Sequence, residues 1–222
     1  MSKRCWMLIL LGSIVTLTMG QVPSPDSYLG YPLGSQFSRH HQIAGYFQTE
    51  ARNSPKVQMQ PYGQTYEGRP LMLAIVSSAE NIQNIEKIRK NNLHATGLRE
   101  FEVEGKRLPN VWLSYNIHGN EASASEASMK MLYELVVNDT SNWLNEVVVI
   151  LDPCINPDGR DRYVNWFRQA SNAIPNILSE SWEHIEPWPG GRVNHYLFDL
   201  NRDWCWQTQV ESQQRAAIYH EW

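Results

Sequence analysis

The chain has no excess of basic charge: 19 Lys and Arg stand against 23 Asp and Glu, a net charge of −4 over 222 residues. These charges are dispersed, which excludes nucleic acid or another polyanion as the expected partner and excludes an electrostatic membrane patch. Long apolar runs are equally scarce. The one candidate lies within residues 1–20, MSKRCWMLILLGSIVTLTMG, and falls short of the roughly 20 apolar residues that cross a bilayer. No later stretch could span one, so no membrane span is expected. Cysteine is also rare. Of the three present, Cys5 lies in that first segment, which leaves Cys154 and Cys205 as a pair for one disulfide, at a separation that sequence does not fix. With 42% hydrophobic residues, what remains is the composition of one ordinary globular domain.

Residues 1–20 combine a basic start at Lys3 and Arg4, an apolar middle and small residues near Gly20, the layout of a secretory signal peptide. Cleavage near Gly20 would give a secreted or periplasmic product. Residues 21–44 are rich in Pro, Gly, Ser and Tyr and read as an extended N-terminal arm. Gly45 to Asn53 reads as a short helix. His40 and His41, as neighbours in the chain, are not taken as ligands. Val57–Pro61 and Pro70–Ser77 bracket a Gly-containing connection, which predicts a hairpin near a sheet edge. LMLAIV, within the second run, fits a strand covered on both faces. Ile82, Ile85 and Ile88 predict a surface helix over Ser78–Asn92.

The central stretch is Val111–Leu135, VWLSYNIHGNEASASEASMKMLYEL. Its first half has the aromatic and branched residues of a buried strand, and Gly119 and Asn120 make a turn. In its second half Ala124, Ala127, Met131 and Leu135 recur at helical spacing, with Ser128 and Leu132 beside them, and predict the face that packs on a sheet. His118 then ends a strand and Glu121 starts a helix, so both converge just outside the sheet, where ligands sit in open α/β folds. Imidazole and carboxylate are zinc ligands, and a catalytic zinc needs three plus an open position. Taken alone, though, His-x-x-Glu reads as a local ion pair. A further buried strand, Asn145–Leu151, leads into DPCINPDGRDRY. Strand, helix, strand is a right-handed crossover, which places the HGNE and NPDG loops at the carboxyl ends of neighbouring parallel strands. Ala170–Tyr196 is a long irregular stretch, either functional or a covering insertion. Tyr196–Leu200 returns to a strand-like pattern and ends in Asn201-Arg202-Asp203-Trp204. Thr208–Trp222 reads as a helix with Val210, Ala217 and Ile218 inward.

Taken in order, HGNE (118–121), NPDG (156–159) and DLNRDW (199–204) resemble the zinc carboxypeptidases of the carboxypeptidase A family, over a span from about Tyr62 onward. The resemblance implies an α/β fold with a mixed, mostly parallel sheet, helices on both faces and zinc at the strand ends. It assigns zinc ligands to His118 and Glu121. It assigns capture of a substrate's terminal carboxylate to Asn201 and Arg202, types that suit it because a guanidinium fork and an amide donate to a carboxylate together. The other reading of Arg202 is an ion pair with Asp199 or Asp203. An oxyanion-stabilising arginine is also implied. Arg168 and Arg192 lead for that role, with Arg160 and Arg162 near the same loops. The family's third ligand, a His on a later strand, and its general-base Glu lie downstream of the Asn-Arg pair. His220, Glu211 and Glu221 share one helical pattern and are not assigned to those roles. The expectation is therefore the N-terminal part of the catalytic domain, residues 45–222, truncated at the C-terminus and inactive by itself. Its substrate class would be peptides or proteins with a free C-terminus. The alternatives are a zinc deacylase of the aspartoacylase type, which shares H-x-x-E and Asn-Arg, and a non-catalytic peptide-binding module.

Overall fold

The computed structural model describes residues 22–97, 99–101 and 105–222. The signal-like segment 1–20 lies outside them. Four strands form one sheet: β1 (Val57–Gln64), β2 (Pro70–Val76), β3 (Asn110–Ser114) and β4 (Val148–Asp152), in the order β1-β2-β4-β3. β1 and β2 form the expected hairpin, with β1 at the edge, and β2 also runs antiparallel to β4. β3 and β4 are parallel, with Val111 opposite Val149 and Ser114 opposite Asp152. The sheet is therefore mixed as expected. Parallel pairing among the described strands is confined to β3 and β4, because β2 returns from a hairpin instead of a crossover.

Side-chain alternation along β2 and β4 sorts the core onto two faces. Ala74, Val76, Val149 and Leu151 meet Ile43, Tyr46 and Phe47 of α2 (His40–Asn53) together with Met129, Leu132 and Val136 of α5 (Ser123–Val137). Leu73, Ile75, Val148 and Ile150 meet Ile85 and Ile88 of α4 (Ile85–Ala95) and Ile218 of α7 (Val210–Tyr219). Helices thus cover both faces. α6 (Pro157–Ala170) follows β4 directly.

Several local expectations are corrected. The stretch 21–44 is not wholly extended: α1 (Pro25–Leu29) forms there, capped by the Ser24 hydroxyl on Ser27 N–H, and α2 begins at His40, before Gly45. The helix expected over 78–92 is broken at Asn84 into α3 (Ala79–Gln83) and α4. The buried face of α5 is rotated by about one residue. Ser125, Ser128, Met129, Leu132 and Val136 face inward, while Met131 is 38% exposed. The serines are tolerated there because each hydroxyl is satisfied, Ser125 by the Pro153 carbonyl at 2.7 Å and Ser128 by the Ser125 carbonyl at 2.7 Å. In α7 the inward residues are Glu211, Arg215 and Ile218, and Ala217 is exposed. Tyr196–Leu200 is not a strand, since the Asn194 side chain accepts the Tyr196 and Phe198 N–H groups and leaves them none for a ladder. Cys154 is buried and Cys205 exposed, and both are free thiols.

Candidate active site

The parallel pair delivers two loops to one end of the sheet. Beyond the strands the ladder continues, Ile155 N–H to Tyr115 O and Asn156 N–H to Asn116 O, so HGNE and NPDG leave side by side. Asn116 adopts a left-handed backbone, φ 56°, and its side chain organises the first loop. Its amide donates to the carbonyls of His118 at 2.7 Å and Glu121 at 3.1 Å, while its oxygen accepts from Arg160 at 2.9 Å and Ser125 at 3.1 Å. Each NPDG residue has a local cause. Asn156 caps α6 by accepting the Gly159 N–H at 2.9 Å, and Pro157 takes the first helical position, where no N–H is needed. Asp158 accepts Thr65 Oγ1 at 2.7 Å and a 2.7 Å ion pair from Arg69.

Glycine is required where the loops meet. A Cβ on Gly119 would lie 2.2 Å from the backbone of Gly159 and of Arg160, and one on Gly159 or Gly191 would strike the other's carbonyl oxygen at 2.4–2.5 Å. Three loops, 118–121, 156–159 and 190–194, thus touch backbone to backbone, a contact any side chain would prevent. The third is pinned further by Asn156 Nδ2 on the Arg192 carbonyl, 3.2 Å, and by Arg162 on the carbonyls of Gly190, 3.0 Å, and Asn194, 3.2 Å. Glu186, from the long 170–196 stretch, accepts Asn120 Nδ2 at 2.9 Å and the Gly191 N–H.

On this platform His118 is 6% exposed and engaged at both ring nitrogens, Nδ1 with Glu121 Oε1 at 2.9 Å and Nε2 with Asp199 Oδ1 at 3.0 Å. Arg192 pairs with Asp199 at 3.1 Å and reaches within 4.0 Å of Glu121. Partial burial works against the charge of Asp199, yet the Asn201 N–H, His118 and Arg192 outweigh it and hold its carboxyl below the usual range. Asp199 also caps the 3-10 turn Leu200–Arg202, accepting the Asn201 N–H at 2.9 Å. The side chain of Asn201 accepts Trp204 Nε1 at 3.3 Å, and the exposed Arg202 donates to the Asn201 carbonyl at 3.1 Å. Among the described residues Arg202 forms no ion pair. The alternative pairing with Asp199 or Asp203 is not present, because Asp199 is occupied and Asp203 accepts from Thr208 and Gln209.

Five of the six candidate residues therefore assemble here: His118, Glu121, Arg192, Asn201 and Arg202. Arg168 does not. Its guanidinium bonds Gln36 at 3.1 Å and lines a groove with Phe37 and Phe167. Arg160, fully buried, is consumed by structure: it donates to Ser38 O, Asn116, Ala122 O and both oxygens of Glu126. Asp199 and Asn116 went unassigned from sequence. The signal for Asp199 was its place two residues before Asn201. Among the described residues no group of three or more His, Cys, Asp and Glu is arranged to hold a metal ion. The donor chemistry nonetheless fits zinc at two positions. Nδ1 of His118 and Oε1 of Glu121 face each other, and Asp199 takes the opposite ring nitrogen, as a carboxylate does behind a metal-bound imidazole.

A model of the zinc carboxypeptidase family matches residues 43–220. Among solved structures, carboxypeptidase A from Helicoverpa armigera aligns with a TM-score of 0.54 and 18% identity, covering 83% of this chain and 42% of that one. A metallo-carboxypeptidase from Burkholderia cenocepacia aligns with a TM-score of 0.52 and 19% identity, covering 83% and 38%. No curated protein matches. The chain thus spans about two fifths of the length of these structures, and their likeness speaks for the fold. By the family match over most of its length, the chain belongs to the zinc carboxypeptidase family.

Proposed function

We propose that this chain carries part of the active site of a metallocarboxypeptidase that removes C-terminal residues from peptides. The observation that carries this reading is an uncommitted Arg202 beside Asn201, linked through Asp199 to the His118–Glu121 pair. In this reading His118 and Glu121 hold zinc. Asp199 accepts the Nε2 proton of His118, which keeps the Nδ1 lone pair directed at the metal position. Asn201 and Arg202 bind the free carboxylate of the peptide, and this selects its last bond over internal ones. Arg192 supplies positive charge for the oxyanion, and it is preferred to Arg168 because it lies 4.0 Å from Glu121. When bound, zinc lowers the pKa of a water to roughly 7 and polarises the scissile carbonyl.

No general base or third ligand is assigned within residues 1–222. Glu211 is buried with Asn194, Glu221 pairs with Arg89 and Arg99, and His220 ends α7 in solvent. Residues 1–20 support export, to a secreted or periplasmic location, after cleavage near Gly20; N-terminal sequencing of the exported protein tests this. Among the described residues no helix is long and apolar enough to cross a membrane.

The deciding experiment, on the full-length gene product, is zinc content together with hydrolysis of a peptide, its C-terminally amidated twin and an N-acyl amino acid. Zinc-dependent cleavage of the free peptide alone is the expected result. Preference for the N-acyl amino acid would support a deacylase instead, and peptide binding without zinc would support a binding module.

A further inference from the structure

Asn201 is useful to a substrate carboxylate only if its amide turns the right way, since one end donates and the other repels. An asparagine at the surface rotates between the two. Here the choice is made by Trp204, whose indole nitrogen is a donor only and lies 3.3 Å from the Asn201 side chain. The atom facing it must be the oxygen, so the NH2 end points away, and among the described residues that NH2 has no partner. Trp204 is itself held. The guanidinium of Arg215 lies over its ring, 3.9 Å from the centroid.

Arg215 comes from α7, is 6% exposed, and is fixed at its other edge by the sheet. It donates to Ser114 Oγ at the end of β3, 2.6 Å, and pairs with Asp152 at the end of β4, 3.0 Å. Asp152 is fully buried and also accepts the Tyr62 hydroxyl at 3.2 Å. A buried ion pair of this kind is a weak source of stability, because desolvation offsets most of its attraction. Its geometry, however, anchors a cation at a fixed height above the Trp204 ring.

We propose that Trp204 and Arg215 are positioning residues for carboxylate recognition: the Asp152–Arg215 pair clamps the Trp204 ring, and its indole N–H locks the Asn201 amide with NH2 toward the peptide's terminus. This deepens the carboxypeptidase reading and rests on it.

The test measures, by calorimetry on the zinc-loaded full-length gene product, the affinity for N-acetyl-phenylalanine and for its carboxamide. Trp204→Phe keeps an aromatic ring for Arg215 to cover and removes the N–H along with the second ring of the indole. It is expected to weaken the acid about tenfold, leave the amide unchanged, and, with a peptide substrate, raise KM while kcat stays within about twofold. Arg215→Met is expected to weaken the acid likewise while also lowering stability, since it leaves Asp152 buried without its cation, and Arg215→Lys to recover part of both losses. Arg202→Met serves as reference for the underlying reading. If Arg202→Met abolishes the preference for the acid while Trp204→Phe binds like the native protein, the positioning role is wrong and the carboxylate site stands. Equal loss for acid and amide in Trp204→Phe also overturns it, by showing a merely structural tryptophan. If Arg202→Met leaves the preference intact, the carboxypeptidase reading itself fails.

Discussion

Arg160 follows one motif and Arg202 lies within another at the same end of the sheet, and they could hardly differ more. Arg160 is fully buried and spends its donors on two backbone carbonyls, Asn116 and the bidentate Glu126. Arg202 is exposed and donates to one carbonyl beside it. The fold consumes the first guanidinium and leaves the second with donors to spare. Spare hydrogen-bonding capacity in a defined place, more than residue type or motif membership, separates a residue that builds this site from one that is free to bind.

The strongest way to break that comparison is Arg160→Met. It strands the Glu126 carboxylate in the core, at a cost of about 3–5 kcal/mol, visible as a lower urea midpoint. Replacing both, Arg160→Met with Glu126→Leu, should recover part of the loss; an Arg160→Met protein as stable as native would show that the pair holds nothing together. Next comes Gly119→Ala. Its methyl meets the Gly159 and Arg160 backbone at 2.2 Å, and backbone cannot swing aside as a side chain can. A loss of about 1–3 kcal/mol is expected, with a fall in zinc affinity measured by competition against a chelator. Arg202→Met should do the opposite of Arg160→Met. Stability should stay within about 0.5 kcal/mol while affinity for a C-terminal carboxylate drops at least about tenfold.

Much of this site was legible because it depends on local order in the chain. A branched strand, a turn, a helix and a second strand define the crossover, and the crossover fixes where HGNE and NPDG emerge. What escaped depends on partners far away in sequence. Ser125 and Glu126 sit on the buried face of α5 because Pro153 O and Arg160 satisfy them, and no periodicity of apolar residues reports that. Arg215 faces inward because Asp152 waits there, 63 positions earlier in the chain. The glycines of the three loops are interchangeable with ordinary turn glycines until the loops are seen in contact. Arg168 and Arg192 could not be separated by position in the chain, since only the folded loop brings Arg192 back over Asp199.

Spare capacity also has a limit as a guide, and Glu50 marks it. Both its carboxylate oxygens are buried without a hydrogen-bond partner, and the nearby Tyr46 hydroxyl donates to the Pro23 carbonyl instead. Burial raises the Glu50 carboxyl from 4.5 to about 7. Between those values the folded chain keeps a proton that the unfolded chain has released, so stability falls as pH rises through the window. At the other end of α2, His40 is buried with Nε2 on the Pro70 carbonyl at 3.0 Å, and desolvation lowers it from 6.5 to about 4. Its effect has the opposite sign, since the unfolded chain takes up the proton first and stability is lost as pH falls from 6.5 through 4. Between pH 4.5 and 6.5 the two effects oppose each other, so Glu50→Gln should remove the decline that shows between pH 6.5 and about 7, on the order of 1 kcal/mol, and leave the acid-side loss steeper than in the native chain. Urea midpoints at pH 5, 6.5 and 8 measure both. If the variant kept the native slope between pH 6.5 and 8, the unpartnered carboxylate of Glu50 would have to be ionised in the fold, and a buried group without partners would then be no more costly than an open one like Arg202.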